Sequence, residues 1–205
     1  MNPLRLTSRA PATAGGPDTT EARASWRRTL CVVIGVVAVG AGTAACQSST
    51  PPPPNAAKIF AAGLKAQTAG DLSTARVDYD KVVATDPTNH YGKDLYAYYD
   101  LGVMDQDAGN ATAAATEYRK SLLINPNYTS ALFNLAIVET PASPSSAILL
   151  YNQILAINPK DPNTLYNLGL LLYNENEIAQ GQQLLNEAIL IAPSLRAKLP
   201  ANVKL

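Results

Sequence analysis

Few residues in this 205-residue chain can do chemistry, and their spacing works against catalysis. The chain has one histidine, His90, and two cysteines, Cys31 and Cys46. A serine hydrolase would carry a Gly-x-Ser-x-Gly turn, a zinc hydrolase a His-Glu-x-x-His helix, and a nucleotide-binding enzyme a glycine-rich loop closed by Lys; none of these strings is present. Carboxylates are more plentiful. Asp78 and Asp80, like Asp105 and Asp107, stand two apart, and on a helix such residues do not share a face where an acid and a base could meet one substrate. A lone histidine in a polar stretch has nothing to orient it. No catalytic residue, cofactor or metal site is therefore expected, which leaves non-covalent recognition and one modification at a cysteine.

That modification follows from the first 54 residues. Arg5, Arg9, Arg23, Arg27 and Arg28 stand against Asp18 and Glu21, and "TLCVVIGVVAVGAGTAAC" follows directly. A positive segment leading into an apolar one that ends in small residues reads as an export signal. The apolar run from Leu30 to Ala45 is 16 residues, shorter than the roughly 20 of a membrane span. "TAAC" resembles the lipobox of bacterial lipoproteins, with Thr43 departing from the usual Leu, Val or Ile. The "QSSTPPPPN" that follows suits an extended polyproline spacer. The resemblance implies a lipidated Cys46, residues 1–45 as export signal, 46–55 as tether, and a protein exported and anchored to the outer side of the bacterial cell membrane. The alternatives are a single-pass N-terminal anchor or ordinary cleavage near Ala44 or Ala45. "SWRRTL" loosely resembles a twin-arginine signal, and plain signal charge explains Arg27 and Arg28 equally well.

Beyond Cys46 the chain has 11 Lys and Arg against 14 Asp and Glu, a net charge of −3. Phosphate binding needs a basic face, so no nucleic-acid partner is expected. With Cys31 inside the signal, no intramolecular disulfide and no thiolate metal site can form.

The rest of the chain repeats. Pro87, Pro126, Pro159 and Pro193 each close an apolar run, in "ATDP", "LINP", "AINP" and "LIAP", at intervals of 39, 33 and 34 residues. Four units start at Ala56, Leu95, Thr129 and Pro162. The eighth position is Gly63, Gly102, Ala136 and Gly169, and the twentieth is Ala75, Ala114, Ala147 and Gly181. Two helices approach closely only over small side chains. Ile59, Tyr98, Leu132 and Leu165 at the fourth position, and Tyr79, Tyr118, Tyr151 and Leu185 at the twenty-fourth, supply bulk. Asp71, Asn110, Ser143, Asp161 and Asn176 are candidate N-caps, two of them followed by proline.

This pattern is similar to the tetratricopeptide repeat (TPR). The resemblance implies an all-α fold, an α-α superhelix or TPR-like solenoid of about four helix pairs (56–89, 95–128, 129–161 and 162–195), followed by a tail at 194–205. The units depart from the family in three places. "NHYGKD" is inserted at 89–94, unit three is one residue short around "TPASPSS", and the eleventh position holds Ala66, Asp105, Glu139 and Leu172. The two acids suggest looser middle units, or contacts that spacing cannot reveal. Leu184, Leu185 and Ile189 at the carboxyl edge are expected to be covered by residues 194–199, or else to dock a partner or second copy.

In the family, the second, fifth, sixth and ninth positions face a concave groove that holds a peptide or helix. Here the fifth is Phe60, Tyr99, Phe133 and Tyr166; the sixth Ala61, Asp100, Asn134 and Asn167; the ninth Leu64, Val103, Ile137 and Leu170. The aromatics suit apolar side chains, and Asn134 and Asn167 suit a peptide backbone. No Lys or Arg occupies these positions, so an acidic C-terminus has no clamp. A protein partner in this groove, with the membrane reached through the lipid or the apolar segment, is the expected function; the alternative is a structural or self-associating envelope protein using its ends or convex face. If lipidation holds the chain, Cys46→Ala should move it from the detergent phase to the aqueous phase. A variant still wholly membrane-bound would mean that the apolar segment is the anchor.

Overall fold

The helices begin and end where the repeat frame requires. In the computed structural model, which describes residues 55–85 and 92–205, α1 (Asn55–Thr68) pairs with α2 (Leu72–Thr85), α3 (Lys93–Asp107) with α4 (Ala111–Ile124), α5 (Thr129–Glu139) with α6 (Pro144–Ile157), and α7 (Pro162–Asn174) with α8 (Ile178–Ile191). A short 3-10 helix, Pro193–Lys198, follows. The export segment, Cys46, the proline tether to residue 54, Pro87 and His90 lie outside the described residues. Each helix packs on its neighbours in the chain, and α1 also touches α3 and α3 touches α5, so the first helices of successive units lie side by side. This is the expected all-α solenoid of four pairs, with no strand among the described residues.

Within the first, second and fourth pairs the turn is set by one residue. Gly70, Gly109 and Asn176, all at the fifteenth position, have φ of 82°, 80° and 70°. That left-handed conformation lets the next amide reach back five residues: Asp71 N–H to the Ala66 carbonyl (2.9 Å), Asn110 to Asp105 (2.8 Å) and Glu177 to Leu172 (2.9 Å). Asn176 is therefore not the N-cap expected of it; α8 is preceded by Glu177, and Asn176 serves as the residue that closes α7. Asn tolerates this conformation better than other residues with a side chain. Of the other candidate caps, Asp161 accepts from the Thr164 amide at 2.7 Å, and Asp71 accepts from the Thr74 amide at 3.0 Å and the Ser73 hydroxyl at 2.8 Å. Bonds from Thr74 and then Ser73 hold the Asp71 carboxyl below its usual range. Asn110 and Ser143 stand at N-cap positions without a side-chain bond.

The small residues at the eighth position exist because of the large ones at the twenty-fourth. The rings of Tyr79, Tyr118 and Tyr151 and the side chain of Leu185 are fully buried. A methyl group at Gly102 would stand 2.6 Å from the Tyr118 ring, and one at Gly63 2.9 Å from the Tyr79 ring. In unit four a methyl on Gly181 would meet the Gly169 carbonyl and the Tyr173 amide at 2.7 Å, so there backbone approaches backbone. The tyrosine hydroxyls then reach back to the first helix, with Tyr79 donating to Gln67 at 2.6 Å and Tyr118 to Gln106 at 2.7 Å. Those glutamines share the twelfth position.

The eleventh-position acids do not loosen the middle units. Asp105 pairs with Arg76 at 2.6 Å, and Glu139 pairs with Arg119 and accepts from the Ser146 hydroxyl. Each arginine comes from the preceding unit, so the acids tie unit one to two and two to three. Both carboxylates are buried while the guanidinium groups stay half in water, which lowers the desolvation cost of the pair.

Gly102→Ala should lower unfolding free energy by about 1–3 kcal/mol, the usual range for overpacking a filled core. Chemical denaturation measures it, and a loss below about 0.5 kcal/mol would mean that the Tyr118 ring moves aside freely.

Candidate protein-binding surface

The residues expected to line the groove separate into an open and a closed set. Leu64 is 40% exposed, and Phe60, Asp100 and Ile137 are half-buried. Tyr99, Val103, Phe133, Asn134, Tyr166, Asn167 and Leu170 are buried. Asn134 and Asn167 keep only 1% and 0% of their surface, so the amide row does not face a ligand in this structure. Instead, the Asn134 side chain donates to the Tyr99 hydroxyl at 3.3 Å, joining units two and three. Burial corrects the expectation for the closed set. These side chains stabilise the stack, because Phe133, Tyr166 and Leu170 are enclosed by helices that follow them in the chain and, for Tyr166, by the C-terminal tail.

What remains open is an aromatic run across units one and two. Phe60 meets Tyr79 at 5.6 Å between ring centroids and Tyr96 at 6.2 Å. Tyr96 meets Tyr128 edge-on at 5.9 Å, Tyr128 meets Tyr99 at 5.4 Å, and Tyr99 meets Tyr118 at 5.9 Å. Such tilted and edge-on pairs are the favoured ring geometries. The run starts in the core at Tyr79, surfaces at Phe60, Tyr96 and Tyr128, and returns to the core at Tyr118. Lys93 Nζ lies 5.7 Å from the Phe60 ring centre and 5.9 Å from that of Tyr96, close enough for a cation–π contact with both. With Leu64 and the Asp100 carboxylate, the surface offers ring faces, one cation and one anion.

Tyr96, Tyr128 and Lys93 were not expected from the sequence. Tyr96 stands at the second position of unit two, one of the four groove positions, and the aromatics at the fifth position drew attention away from it. Tyr128 and Lys93 precede the first residue of a helix or a unit, where the repeat frame assigns no face.

Several phenols here are strongly perturbed. Burial pushes those of Tyr79, Tyr128 and Tyr151 well above the usual range and raises that of Tyr166; Asp100 adds to this at Tyr79, Tyr99 adds to it at Tyr128, and Thr140 and Asn167 partly offset it at Tyr151.

Residues 150–183 match the tetratricopeptide repeat family. Among solved structures the chain superposes on a tetratricopeptide repeat protein from Parabacteroides merdae ATCC 43184 with TM-score 0.62 and 20% identity, covering 68% of this chain and 54% of that one. The fold is a tetratricopeptide-repeat solenoid. MamA from Desulfovibrio magneticus RS-1 (residue 41 to its end) is similar with TM-score 0.64 and 17% identity over 72% of this chain and 81% of that one. A thermophilic TPR protein of Thermus thermophilus gives 0.54 and 16% over 70% and 79%. The chain thus spans about half the length of the Parabacteroides protein. No curated protein matches it by sequence.

In this TPR frame, the family match falls on units three and four, and the rings of the aromatic run come from Phe60 in unit one and from Tyr96, Tyr99 and Tyr128 in unit two. The tyrosines also set an alkaline limit. The folded chain favours the neutral form of the phenols of Tyr79, Tyr128, Tyr151 and Tyr166, whereas in the unfolded chain they titrate near pH 10. Their contribution is complete below about pH 10 and is lost as pH rises further. Melting at pH 11 should occur several degrees below melting at pH 8, with a smaller drop for Tyr151→Phe; an equal drop in wild type and variant would exclude the buried phenol as its cause.

Proposed function

We propose that the chain is an exported, membrane-tethered TPR protein-interaction module, a scaffold or assembly factor of the bacterial cell envelope, that binds a partner peptide or helix on the open surface of units one to three. The fold supports an interaction role, because stacked helix pairs build an extended surface with no enclosed reaction site. The observation that carries the reading is the aromatic run in which Tyr96, 41% exposed, stands between the half-buried rings of Phe60 and Tyr128, with the exposed Leu64 on the same helix as Phe60. Tyrosine and phenylalanine supply large rigid contact area at small entropic cost, which is why they anchor interfaces. A partner with apolar or aromatic side chains spaced along a strand or a helix face fits this surface. The lipidated Cys46 and proline tether complete the proposal by holding the solenoid off the membrane.

Its second form is a structural or self-associating envelope protein, supported by Leu123 and Leu190, equivalent residues of units two and four that are 84% and 83% exposed. One experiment separates the two. A photo-crosslinking residue at position 96 captures the partner in cells, and the affinity of that partner is then measured for Tyr96→Ala plus Leu64→Ser and for Leu123→Ser. The groove reading requires at least a tenfold loss, about 1.4 kcal/mol, in the first variant and none in the second. The reverse pattern assigns the work to the surface of the second helices.

A further inference from the structure

The chain's last residues behave as a bound peptide. After the 3-10 helix, Leu199 and Pro200 turn the backbone, and Val203 N–H bonds back to the Pro200 carbonyl at 3.0 Å. The stretch then lies on α7 and α8 in a particular way. The Tyr173 hydroxyl donates to the Asn202 carbonyl at 3.3 Å and accepts from Lys204 N–H at 3.5 Å, and the Gln182 side-chain amide donates to the Lys204 carbonyl at 2.7 Å. Between these bonds Val203, 9% exposed, enters the cluster of Tyr166, Leu170 and Ile189. Lys204 and Leu205 stay exposed. Side chains of the solenoid thus read three backbone groups of one short segment, and a pocket takes one aliphatic side chain between them. This division, main chain for affinity and a pocket for selectivity, is how proteins hold extended peptides.

Two observations argue against a plain cap. The first is where the hydroxyl comes from. In units one and two the twelfth position is a glutamine, engaged by the tyrosine at the twenty-fourth. Unit four reverses the pair, with Leu185 at the twenty-fourth and Tyr173 at the twelfth, so its only hydroxyl of this kind points to the tail rather than inward. The second is an unmet need. The Tyr166 hydroxyl, in the same cluster as Val203, has no hydrogen-bond partner among the described residues although its side chain is fully buried. The tail fills the apolar pocket and leaves that donor unsatisfied, and two of its three bonds sit at the long limit for hydrogen bonding. An occupant with an acceptor for Tyr166 would bind better than the tail does.

We propose that Tyr166, Leu170, Tyr173, Gln182 and Ile189 form a second, extended-peptide site, filled in cis by residues 202–204 and open in trans to a segment carrying one β-branched aliphatic side chain. The cis segment lowers the affinity a ligand experiences, since a ligand meets only the fraction of molecules whose tail is released. This site is separate from the aromatic run in units one and two and does not depend on it.

The test uses a synthetic peptide of residues 199–205 and the chain ended after Leu199, checked for helicity against the full chain. The shortened chain should bind the peptide saturably and at least tenfold more tightly than the full chain does, and the peptide carrying Val203→Asp should not bind. Absence of saturable binding to a helical shortened chain, or equal binding to both chains, overturns the proposal. Should shortening unfold the last pair, full-length Val203→Asp expels the tail side chain from the pocket and leaves every residue of the site in place. That variant should exchange its Lys204 amide hydrogen faster and bind the peptide more tightly than the parent; unchanged affinity overturns the proposal in this form as well.

Discussion

The first two helix pairs of this solenoid depend on a tyrosine ring set against a position with no side chain. Where Tyr118 covers Gly102 and Tyr79 covers Gly63, there is no room for even a methyl group between ring and helix, and the buried apolar residues of each pair gather around the ring. The same contact fixes direction. A ring held in that slot points its hydroxyl at the twelfth position of the first helix, so one residue both packs the pair and sets its register through a bond to Gln67 or Gln106. Burying a phenol needs such a partner, since an unmet buried hydroxyl is costly. Unit four keeps the close approach but reaches it through Gly169 and Gly181, backbone against backbone, with Leu185 in place of tyrosine.

The surface available for binding follows from how completely each unit is covered by the next. Asn134 and Asn167 sit at equivalent positions to Asp100, but the later units are packed so closely that both amides are sealed. In units one and two, Phe60, Tyr96 and Tyr128 form a continuous aromatic path over the core, with Phe60 and Tyr128 half-buried against it and Tyr96 exposed. Lys93 over the rings of Phe60 and Tyr96 adds positive charge beside them.

The pairing of helices was legible because it rests on period and size: the small residues at the eighth and twentieth positions, the bulk at the fourth and twenty-fourth, and the prolines that stop each unit. These are local properties that spacing expresses directly. The binding surface was legible only in part. Spacing assigns Tyr166 and Asn167 to the same helical face as Phe60, but it cannot tell that one end of that face is covered by tail residues such as Val203 while at the other Phe60 stays half-buried and Leu64 exposed. The roles of Asp105 and Glu139 were hidden for a similar reason, because their partners Arg76 and Arg119 belong to the preceding unit and stand 29 and 20 residues away. Asn176 reads as a cap in the sequence because asparagine favours both helix starts and the left-handed turn.

The alternation at the eleventh position grades the array from end to end. Units one and two, and two and three, are joined in part by an arginine–carboxylate pair, whereas unit four presents Leu172 at that position, buried in the apolar cluster it shares with unit three. In a linear array, stability is carried by such nearest-neighbour couplings, and the two kinds respond to different conditions. At the first two joints the buried carboxylate shields the pair from salt on one side while the half-exposed guanidinium keeps the other side in water. The aromatic run therefore lies in the part of the array whose units are tied by charge across the joint, and the joint to unit four is apolar at the equivalent position.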